Sequence, residues 1–326
     1  MVTEIHHRPS QGWLLALLLS CCAIFYAQQT ARADEVRAGS DGTHLPGTTF
    51  RDCSVCPEMK VVPPGTFTMG RKPAADGRKD DDPEGIRKSA PAREATIGQA
   101  FAVGTYAVTR AEYSMFVRET GRSREPGCYV WKEHQWTQDL ERDWRDPGFR
   151  QTDRDPVVCV NWGDAQAYVR WLNSQVHLPH GGNSGNDGPY RLMSLAEAEY
   201  AAGSGATTAY SWGPLARRDR ANYGADRCFP CQPATQGADR WLYTSPVGSF
   251  PANGFGLYDM SGDVWQWTDG CYPHRNPPPT AQCRFGVVRG GSWLVNPEYL
   301  RLAEYAVLDR QNRNYETGFR VARTLE

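Results

Sequence analysis

The pattern of hydrophobic and polar positions predicts three helices in the middle of the chain. Thr109-Arg110-Ala111-Glu112 forms a capping box, and apolar residues follow it at helical spacing until Gly121. Asn161 begins a second helix, and Ser194 begins a third that ends at Gly203. The apolar positions on the inward faces of the first two helices are Tyr113, Phe116, Val117, Ala165, Tyr168, Val169 and Leu172.

Strand signals are short, and regular patterning fades along the chain. Met59–Met69 predicts two short strands around the turn signal Pro63-Pro64-Gly65. Beyond Gly203, Trp, Tyr, Gly, Pro and Asn alternate without a clear period. With 32 Gly and 23 Pro in 326 residues, the chain favours turns and ordered loops over a helix bundle. We therefore predict an α+β fold of a single domain with little regular secondary structure.

The first residues read as an export signal. A polar start is followed by the apolar run Leu14–Ala27, which is shorter than the ~20 residues that a transmembrane helix needs. Ala31-Arg32-Ala33 then places small residues where a signal peptidase reads them. We predict a signal peptide over residues 1–33, a flexible leader over 34–52 and the folded domain over 53–326.

Cleavage near Ala33 predicts a periplasmic or secreted protein with no membrane span in its mature form. A lipid anchor on Cys21 is the less favoured alternative, because Leu19 is a poor residue for the lipidation signal. The 36 Lys and Arg residues balance 37 Asp and Glu residues, which gives a net charge of -1. Nucleic acid is not expected as a partner, because binding to its phosphates requires a basic surplus.

The cysteines predict disulfide bonds. The chain has 10 cysteines, and the loss of Cys21 and Cys22 with the leader leaves eight, an even number in an oxidising compartment. The preferred pairs are Cys128–Cys159 and Cys271–Cys283, since each closes a loop rich in Trp, Pro and Tyr. Two C-x-x-C pairs remain open between disulfides, a redox-active pair and a zinc or iron site: Cys53 with Cys56, and Cys228 with Cys231.

Generic catalytic motifs do not disclose a function. The sequence has no G-x-G-x-x-G, P-loop, H-E-x-x-H or G-x-S-x-G motif. His177 and His180 lie in a Gly- and Asn-rich loop, where exposed polar surface is the favoured interpretation over a metal site.

Several ordered segments resemble the formylglycine-generating enzyme family, also called sulfatase-modifying factors. They are Val62–Gly70, Asp155–Val158 with Trp162, Tyr190–Leu192, Glu197–Ala202, Pro246–Phe250, Asn253–Met260, Gly262–Trp267, Arg289–Trp293 and Gly318–Ala322. The segments occur in the family's order and cover roughly Cys56 to Arg323. The resemblance implies the formylglycine-generating-enzyme fold, which is C-type-lectin-like, with little regular structure.

The resemblance also locates the family's copper site, and this chain departs from it. Formylglycine-generating enzymes bind Cu(I) through two cysteines that follow the G-G-S-[WY] segment, and they use oxygen to convert a substrate cysteine to formylglycine. Thiolates suit this role because soft sulfur ligands select Cu(I). The matching positions here are Val295 and Leu300, whose side chains cannot bind a metal. We therefore expect neither copper as a cofactor nor copper–thiolate formylglycine chemistry.

Calcium is the cofactor that the resemblance implies, in two structural sites. The first site consists of the Asn222 and Asp239 side chains with backbone oxygens of Tyr223 and Trp241. The second consists of Asp259 with backbone oxygens of Met260, Gly262 and Val264, together with Gln266. Carboxylate, amide and carbonyl oxygens are the ligands that calcium prefers. The alternative is that these Asn and Asp residues bond their own turns.

Two neighbouring polar positions depart from the family at the second site. The usual G-N-V-W-E-W reads Gly262-Asp263-Val264-Trp265-Gln266-Trp267 here. A candidate cleft would have its floor at Ser292 and Trp293, near the Val295 and Leu300 positions. The residues expected to flank it are Trp265, Trp267, Tyr305 and Arg320, although the two tryptophans are equally consistent with the core.

Two functions are consistent with these patterns. The first is an exported maturation factor of oxidoreductase type that acts on a periplasmic peptide or metabolite. Members of the resembled family without the cysteine pair include periplasmic pyoverdine-maturation proteins. The alternative is a non-catalytic accessory protein, a pseudoenzyme that binds an exported enzyme partner. Retained formylglycine generation ranks last, and the sequence identifies no catalytic residue.

Overall fold

The computed structural model describes residues 44–71, 87–123, 125–176, 188–224, 240–272 and 283–325. All of them belong to one compact unit, Thr43–Glu326. The predicted signal peptide and most of the predicted leader lie outside the described residues, as do His177, His180, Cys228, Cys231 and Asp239.

Three α-helices in the described part of the chain occupy the predicted places. Their bounds are α1 Arg110–Thr120, α2 Trp162–Gln175 and α3 Leu195–Gly203. Each begins with a capping box, and the pairs are Thr109 with Glu112, Asn161 with Asp164 and Ser194 with Glu197. α1 ends at Gly121, whose φ of 63° is the left-handed conformation that glycine adopts without strain. The predicted apolar faces of α1 and α2 are buried.

The described residues form fourteen strands, most of them short. They are β1 Thr49–Phe50, β2 Met59–Val62, β3 Gly65–Met69, β4 Arg87–Ser89, β5 Arg93–Ile97, β6 Phe101–Gly104, β7 Cys128–Lys132, β8 Gln135–Asp139, β9 Tyr190–Leu192, β10 Trp265–Tyr272, β11 Phe285–Arg289, β12 Glu304–Asp309, β13 Thr317–Phe319 and β14 Val321–Thr324. The two strands predicted around Pro63-Pro64-Gly65 are β2 and β3, and they join different sheets.

Two five-stranded sheets organise the domain. The first is antiparallel, with the order β1-β2-β6-β14-β9. The second has the order β13-β10-β11-β12-β4, and only its β10–β13 pair is parallel. β3 pairs with β5 and β7 pairs with β8 in two-stranded ribbons. The consecutive strands β13 and β14 lie in different sheets, so Arg320 between them is fully buried where the chain passes from one sheet to the other.

The part of the chain beyond Gly203, whose sequence shows no clear period, contains regular structure as well. Five strands, β10 to β14, lie in this part of the chain. The first four residues of β10, Trp265-Gln266-Trp267-Thr268, alternate apolar and polar side chains, and all four are buried. Four residues is the shortest run in which alternation indicates a strand, and the sequence around it is irregular.

Three disulfides tie loops to this framework. They join Cys53 to Cys56, Cys128 to Cys159 and Cys271 to Cys283, and the last two are the pairs that the sequence favoured. Over the residues that the structure describes, no helix has the length and apolar character needed to cross a membrane.

Candidate functional site

The two positions that correspond to the family's copper cysteines lie in the hydrophobic core. Val295 is 0% exposed and Leu300 is 1% exposed, and both belong to the main core cluster. Leu300 ends a short 3-10 helix, Pro297–Leu300, and packs against Gly291. All six cysteines in the described ranges are in disulfides. These residues do not fit a copper–thiolate centre.

Leu300 also lines a narrow pocket with room for about one water molecule. The walls include Met193, Met260 and Leu302, and the Arg289 guanidinium donates to the Leu302 carbonyl oxygen at 2.7 Å. This pocket is too small to hold a peptide or a metabolite.

Ser292 contacts a buried carboxyl group that the sequence analysis did not single out. The Ser292 hydroxyl donates to Oε2 of Glu316, and the two residues are 0% and 4% exposed. Burial raises the pKa of Glu316 to about 7, and the hydrogen bond from Ser292 opposes part of that rise. The Trp265 N–H donates to the Glu316 carbonyl oxygen at 2.9 Å and holds the backbone. A carboxyl that titrates near neutrality beside a hydroxyl is suited to proton transfer.

Four aromatic rings form a cluster beside this pair: Phe149, Tyr243, Trp293 and Tyr315. The centroid of the Trp293 ring lies 5.0 Å from Tyr243, 5.0 Å from Tyr315 and 5.5 Å from Phe149. Phe149 and Tyr243 stack at 4.4 Å and are half-buried, so they form the outer side of the cluster. Trp293 and Tyr315 are chain neighbours of Ser292 and Glu316, which places the cluster against the pair.

The other candidate cleft residues make their contacts elsewhere. Arg320 donates to the carbonyl oxygens of Gly104 at 2.7 Å and Tyr258 at 2.6 Å, and to Oε1 of Gln266 at 2.9 Å. Burial lowers the pKa of Arg320 to about 10. The Tyr305 ring centroid lies 6.0 Å from the guanidinium carbon of Arg289. Trp265 and Trp267, which the sequence left between cleft and core, are buried core residues.

In the loop expected to form the second calcium site, Asp259 fits the role of a calcium ligand and Gln266 does not. Asp259 Oδ2 accepts from the Gly248 N–H at 2.7 Å, while Oδ1 is buried without a partner. Gln266 does not fit as a ligand, because its Nε2 donates to the Asp259 carbonyl oxygen at 2.8 Å and its Oε1 accepts from Arg320. Asp259 therefore has the free oxygen that a cation needs, and Gln266 does not.

The loop expected to form the first calcium site also supplies a free oxygen. Asn222 Oδ1 is buried without a partner, and its Nδ2 donates to the Tyr243 carbonyl oxygen at 2.8 Å. The Tyr223 carbonyl oxygen accepts from Arg218. The amide oxygen of Asn222 fits a calcium ligand.

Asp263 lies beside both loops. Its Oδ1 accepts from the Ser245 N–H at 2.8 Å and from Asn222 Nδ2 at 3.2 Å, while its Oδ2 is buried without a partner. Burial raises the pKa of Asp263, and the nearby Asp259 carboxyl raises it further. No group of three or more His, Cys, Asp or Glu side chains in the described ranges could hold a metal ion. A cation here would also require amide and backbone oxygens.

Comparison with known proteins identifies the scaffold. A family model described as "Sulfatase-modifying factor enzyme 1-like domain" matches residues 46–325. The chain belongs to this sulfatase-modifying factor family. The family and the α+β fold that the sequence predicted are thereby confirmed.

Relatives within the sulfatase-modifying factor family carry different names. The "Formylglycine-generating enzyme" of Mycobacterium tuberculosis is 32% identical over 81% of this chain and 96% of that protein. The "Inactive C-alpha-formylglycine-generating enzyme 2" of Mus musculus is 32% identical over 73% of this chain and 75% of that protein. Membership of the family is therefore compatible with a formylglycine-generating enzyme and with an inactive relative.

The solved structure of PvdO from Pseudomonas aeruginosa superimposes on this chain with a TM-score of 0.65 at 30% identity. The superposition covers 87% of this chain and 100% of that chain. The whole PvdO chain therefore superimposes on part of this protein.

Proposed function

We propose that this sulfatase-modifying factor protein is an exported maturation factor of oxidoreductase type. It acts on a periplasmic peptide or metabolite without copper–thiolate formylglycine chemistry. The observation that carries the proposal is the burial of two aliphatic side chains, Val295 and Leu300, where the family places its cysteines. The full-length similarity to PvdO supports it, because that chain is covered completely at 30% identity.

Ser292 and Glu316 supply the proton chemistry in this proposal. Two electrons and two protons pass from the substrate to dioxygen, which becomes hydrogen peroxide, and Glu316 accepts one of the protons on the way. A base with a pKa near 7 is well matched to this role at neutral pH. A substrate would approach from the side of the half-buried Phe149 and Tyr243 rings, and Trp293 would have to move for it to reach the buried pair.

Export and calcium binding are part of the same proposal. The three disulfides support an oxidising compartment, in agreement with the apolar run near the N-terminus. Calcium would bind through the free oxygens of Asn222 and Asp259 and would hold their loops in place.

A second candidate is a non-catalytic accessory protein that binds an exported enzyme. The near-complete burial of Ser292, Trp293 and Leu300 favours it, because a binding protein does not need these residues to be accessible. The two candidates differ in whether the Glu316 carboxyl is needed for function.

Complementation separates these candidates. A strain without the gene is complemented with wild type, Glu316→Gln or Asp143→Asn, where Asp143 is a buried carboxyl in a separate turn. We expect periplasmic extracts of the deletion and Glu316→Gln strains to accumulate the same reduced precursor by mass spectrometry, and wild type and Asp143→Asn to remove it. Full complementation by a folded Glu316→Gln protein would favour the accessory role.

The exclusion of formylglycine chemistry has a direct test. The purified protein is incubated with Cu(I), oxygen and a C-x-P-x-R peptide, with the Mycobacterium tuberculosis enzyme as a positive control. We expect the peptide thiol to remain intact and no stoichiometric copper to stay bound after desalting. An aldehyde on the peptide would refute the proposal.

A further inference from the structure

The Cys53–Cys56 disulfide joins one partly exposed cysteine to one buried cysteine. Cys56 is 1% exposed and belongs to the main core cluster, whereas Cys53 is half-buried and the neighbouring Ser54 is exposed. In the Cys128–Cys159 disulfide the two residues are 0% and 1% exposed, so both sulfur atoms are covered. Thiol–disulfide exchange begins when a thiolate reaches one sulfur atom of the bond. A thiol from solution therefore has access to Cys53 and not to the Cys128–Cys159 bond.

The segment that carries the Cys53–Cys56 disulfide is also held by other contacts. Asp52 Oδ2 accepts from the Tyr190 hydroxyl at 2.6 Å and from Arg323 Nε at 2.8 Å, and these partners lie in β9 and β14. The Arg51 guanidinium donates to the Cys56 carbonyl oxygen at 2.9 Å. The disulfide joins residues only three positions apart, so it restricts the unfolded chain little. Its reduction is therefore expected to leave the segment in place.

The spacing of the two cysteines suits a bond that opens and closes. Two residues separate them, and the Cys56 N–H donates to the Cys53 carbonyl oxygen at 3.2 Å. This turn does not depend on the disulfide, so it keeps the two thiols close together after reduction. C-x-x-C pairs perform exchange in disulfide oxidoreductases, where an accessible cysteine is attacked and the second cysteine leaves. The exposure of Cys53 and the burial of Cys56 match this division.

We propose that Cys53–Cys56 is a redox-active disulfide that accepts two electrons from a peptide or protein with two thiols. The partner's first thiolate attacks Sγ of Cys53, the Cys53–Cys56 bond breaks, and Cys56 leaves as a thiolate that takes up a proton. The partner's second thiolate then attacks the partner's sulfur in the mixed disulfide, and Cys53 leaves and is protonated in turn. The partner is oxidised to a disulfide and the pair is reduced to two thiols. The step does not use Ser292 or Glu316, so it is tested separately from the proposed function.

Graded reduction compares two disulfides within one protein. The folded full-length mature protein is incubated with increasing concentrations of a synthetic peptide that has two cysteines. The thiols formed are alkylated, and tryptic fragments are quantified by mass spectrometry. Trypsin cuts after Arg51 and Lys60, so Cys53 and Cys56 share one fragment without other cysteines. We expect this fragment to be half-alkylated at a concentration about tenfold or more below that needed for the Cys128–Cys159 disulfide. Reduction of both disulfides at the same concentration, or of the buried one first, would overturn the proposal.

Single variants test which sulfur atom takes part in the exchange. Cys56→Ser keeps the partly exposed thiol and Cys53→Ser keeps the buried one. Each folded variant, checked by its melting temperature, is incubated with oxidised glutathione, and glutathione bound to residues 52–60 is measured by mass spectrometry. We expect Cys56→Ser to form the mixed disulfide about tenfold or more faster than Cys53→Ser does. Equal capture by the two variants, or no capture by Cys56→Ser, would refute the assignment of Cys53 as the attacked cysteine and with it the proposal.

Discussion

The Ser292 hydroxyl is hydrogen-bonded to the Glu316 carboxyl, and both residues are buried. Ser292 lies three positions before Val295, where the family places a cysteine. Burial raises the pKa of Glu316 to about 7, so this part of the fold contains an ionisable carboxyl although Val295 and Leu300 are aliphatic. The protonation of Glu316 depends on its own side chain and its immediate surroundings, so a single substitution tests it.

The pH dependence of stability tests Glu316. Its pKa in the folded state is about 7, against an ordinary value of 4.5. The folded protein therefore binds this proton more tightly than the unfolded chain does. The stability that the proton contributes is fully present below pH 4.5 and is lost as the pH rises through 7. Glu316→Gln mimics the protonated form. We expect wild type to lose about 3 kcal/mol relative to this variant between pH 4.5 and pH 8.

Urea unfolding of both proteins across that pH range measures the difference. Parallel stability profiles for wild type and Glu316→Gln would show that the carboxyl is not held in its protonated form by burial.

At the scale of elements, the start of α2 is connected to distant parts of the chain by side chains. Asn161 caps it, and Asp164 in its first turn is a buried carboxylate. Asp164 also binds Arg122 at 2.7 Å and Arg313 at 2.8 Å. The helix start is thereby connected to the loop after α1 and to the segment before β13.

Substitutions at the start of α2 separate local capping from long-range pairing. We expect Asn161→Ala to lower the free energy of unfolding by about 1 kcal/mol, which is typical for the loss of a cap. Asp164→Ala is expected to cost more, about 2–3 kcal/mol, because it removes a buried carboxylate that pairs with Arg122 and Arg313 as well as its half of the capping box, while Glu125 remains beside both arginines. Chemical denaturation measures both values, with Asn161→Ser as a control that keeps an N-cap side chain. Equal losses for the two alanine variants would contradict this account.

The sequence predicted elements wherever the signal is local. The capping boxes at Thr109 and Ser194 depend on residues three positions apart, and both helices begin there. β10 was missed because its alternating run, Trp265 to Thr268, is only four residues long and lies in an irregular sequence. Glu316 was missed because its role depends on Ser292, which is 24 positions away in the sequence and adjacent only in the fold. Val295 and Leu300 could be recognised in advance because a motif precedes them at short range.

At the scale of the whole molecule, disulfides compensate for the low content of regular structure. Cys128–Cys159 links residues 31 positions apart and lies in the core beside Trp293. A cross-link of this length restricts the unfolded chain strongly. Cys53–Cys56 spans only three positions.

Removal of the buried disulfide is therefore expected to be costly. We expect Cys128→Ala/Cys159→Ala to lower the free energy of unfolding by about 3–4 kcal/mol. Cys53→Ala/Cys56→Ala is the matched control and is expected to lose less, because its loop is shorter. Guanidinium denaturation of the oxidised proteins gives both numbers. A larger loss from the short cross-link would show that loop length does not govern the effect.

The last residues of the chain complete both sheets, with β13 beside β10 in one and β14 between β6 and β9 in the other. A change that releases β14 would leave β6 and β9 with open edges, and such edges invite aggregation with other chains.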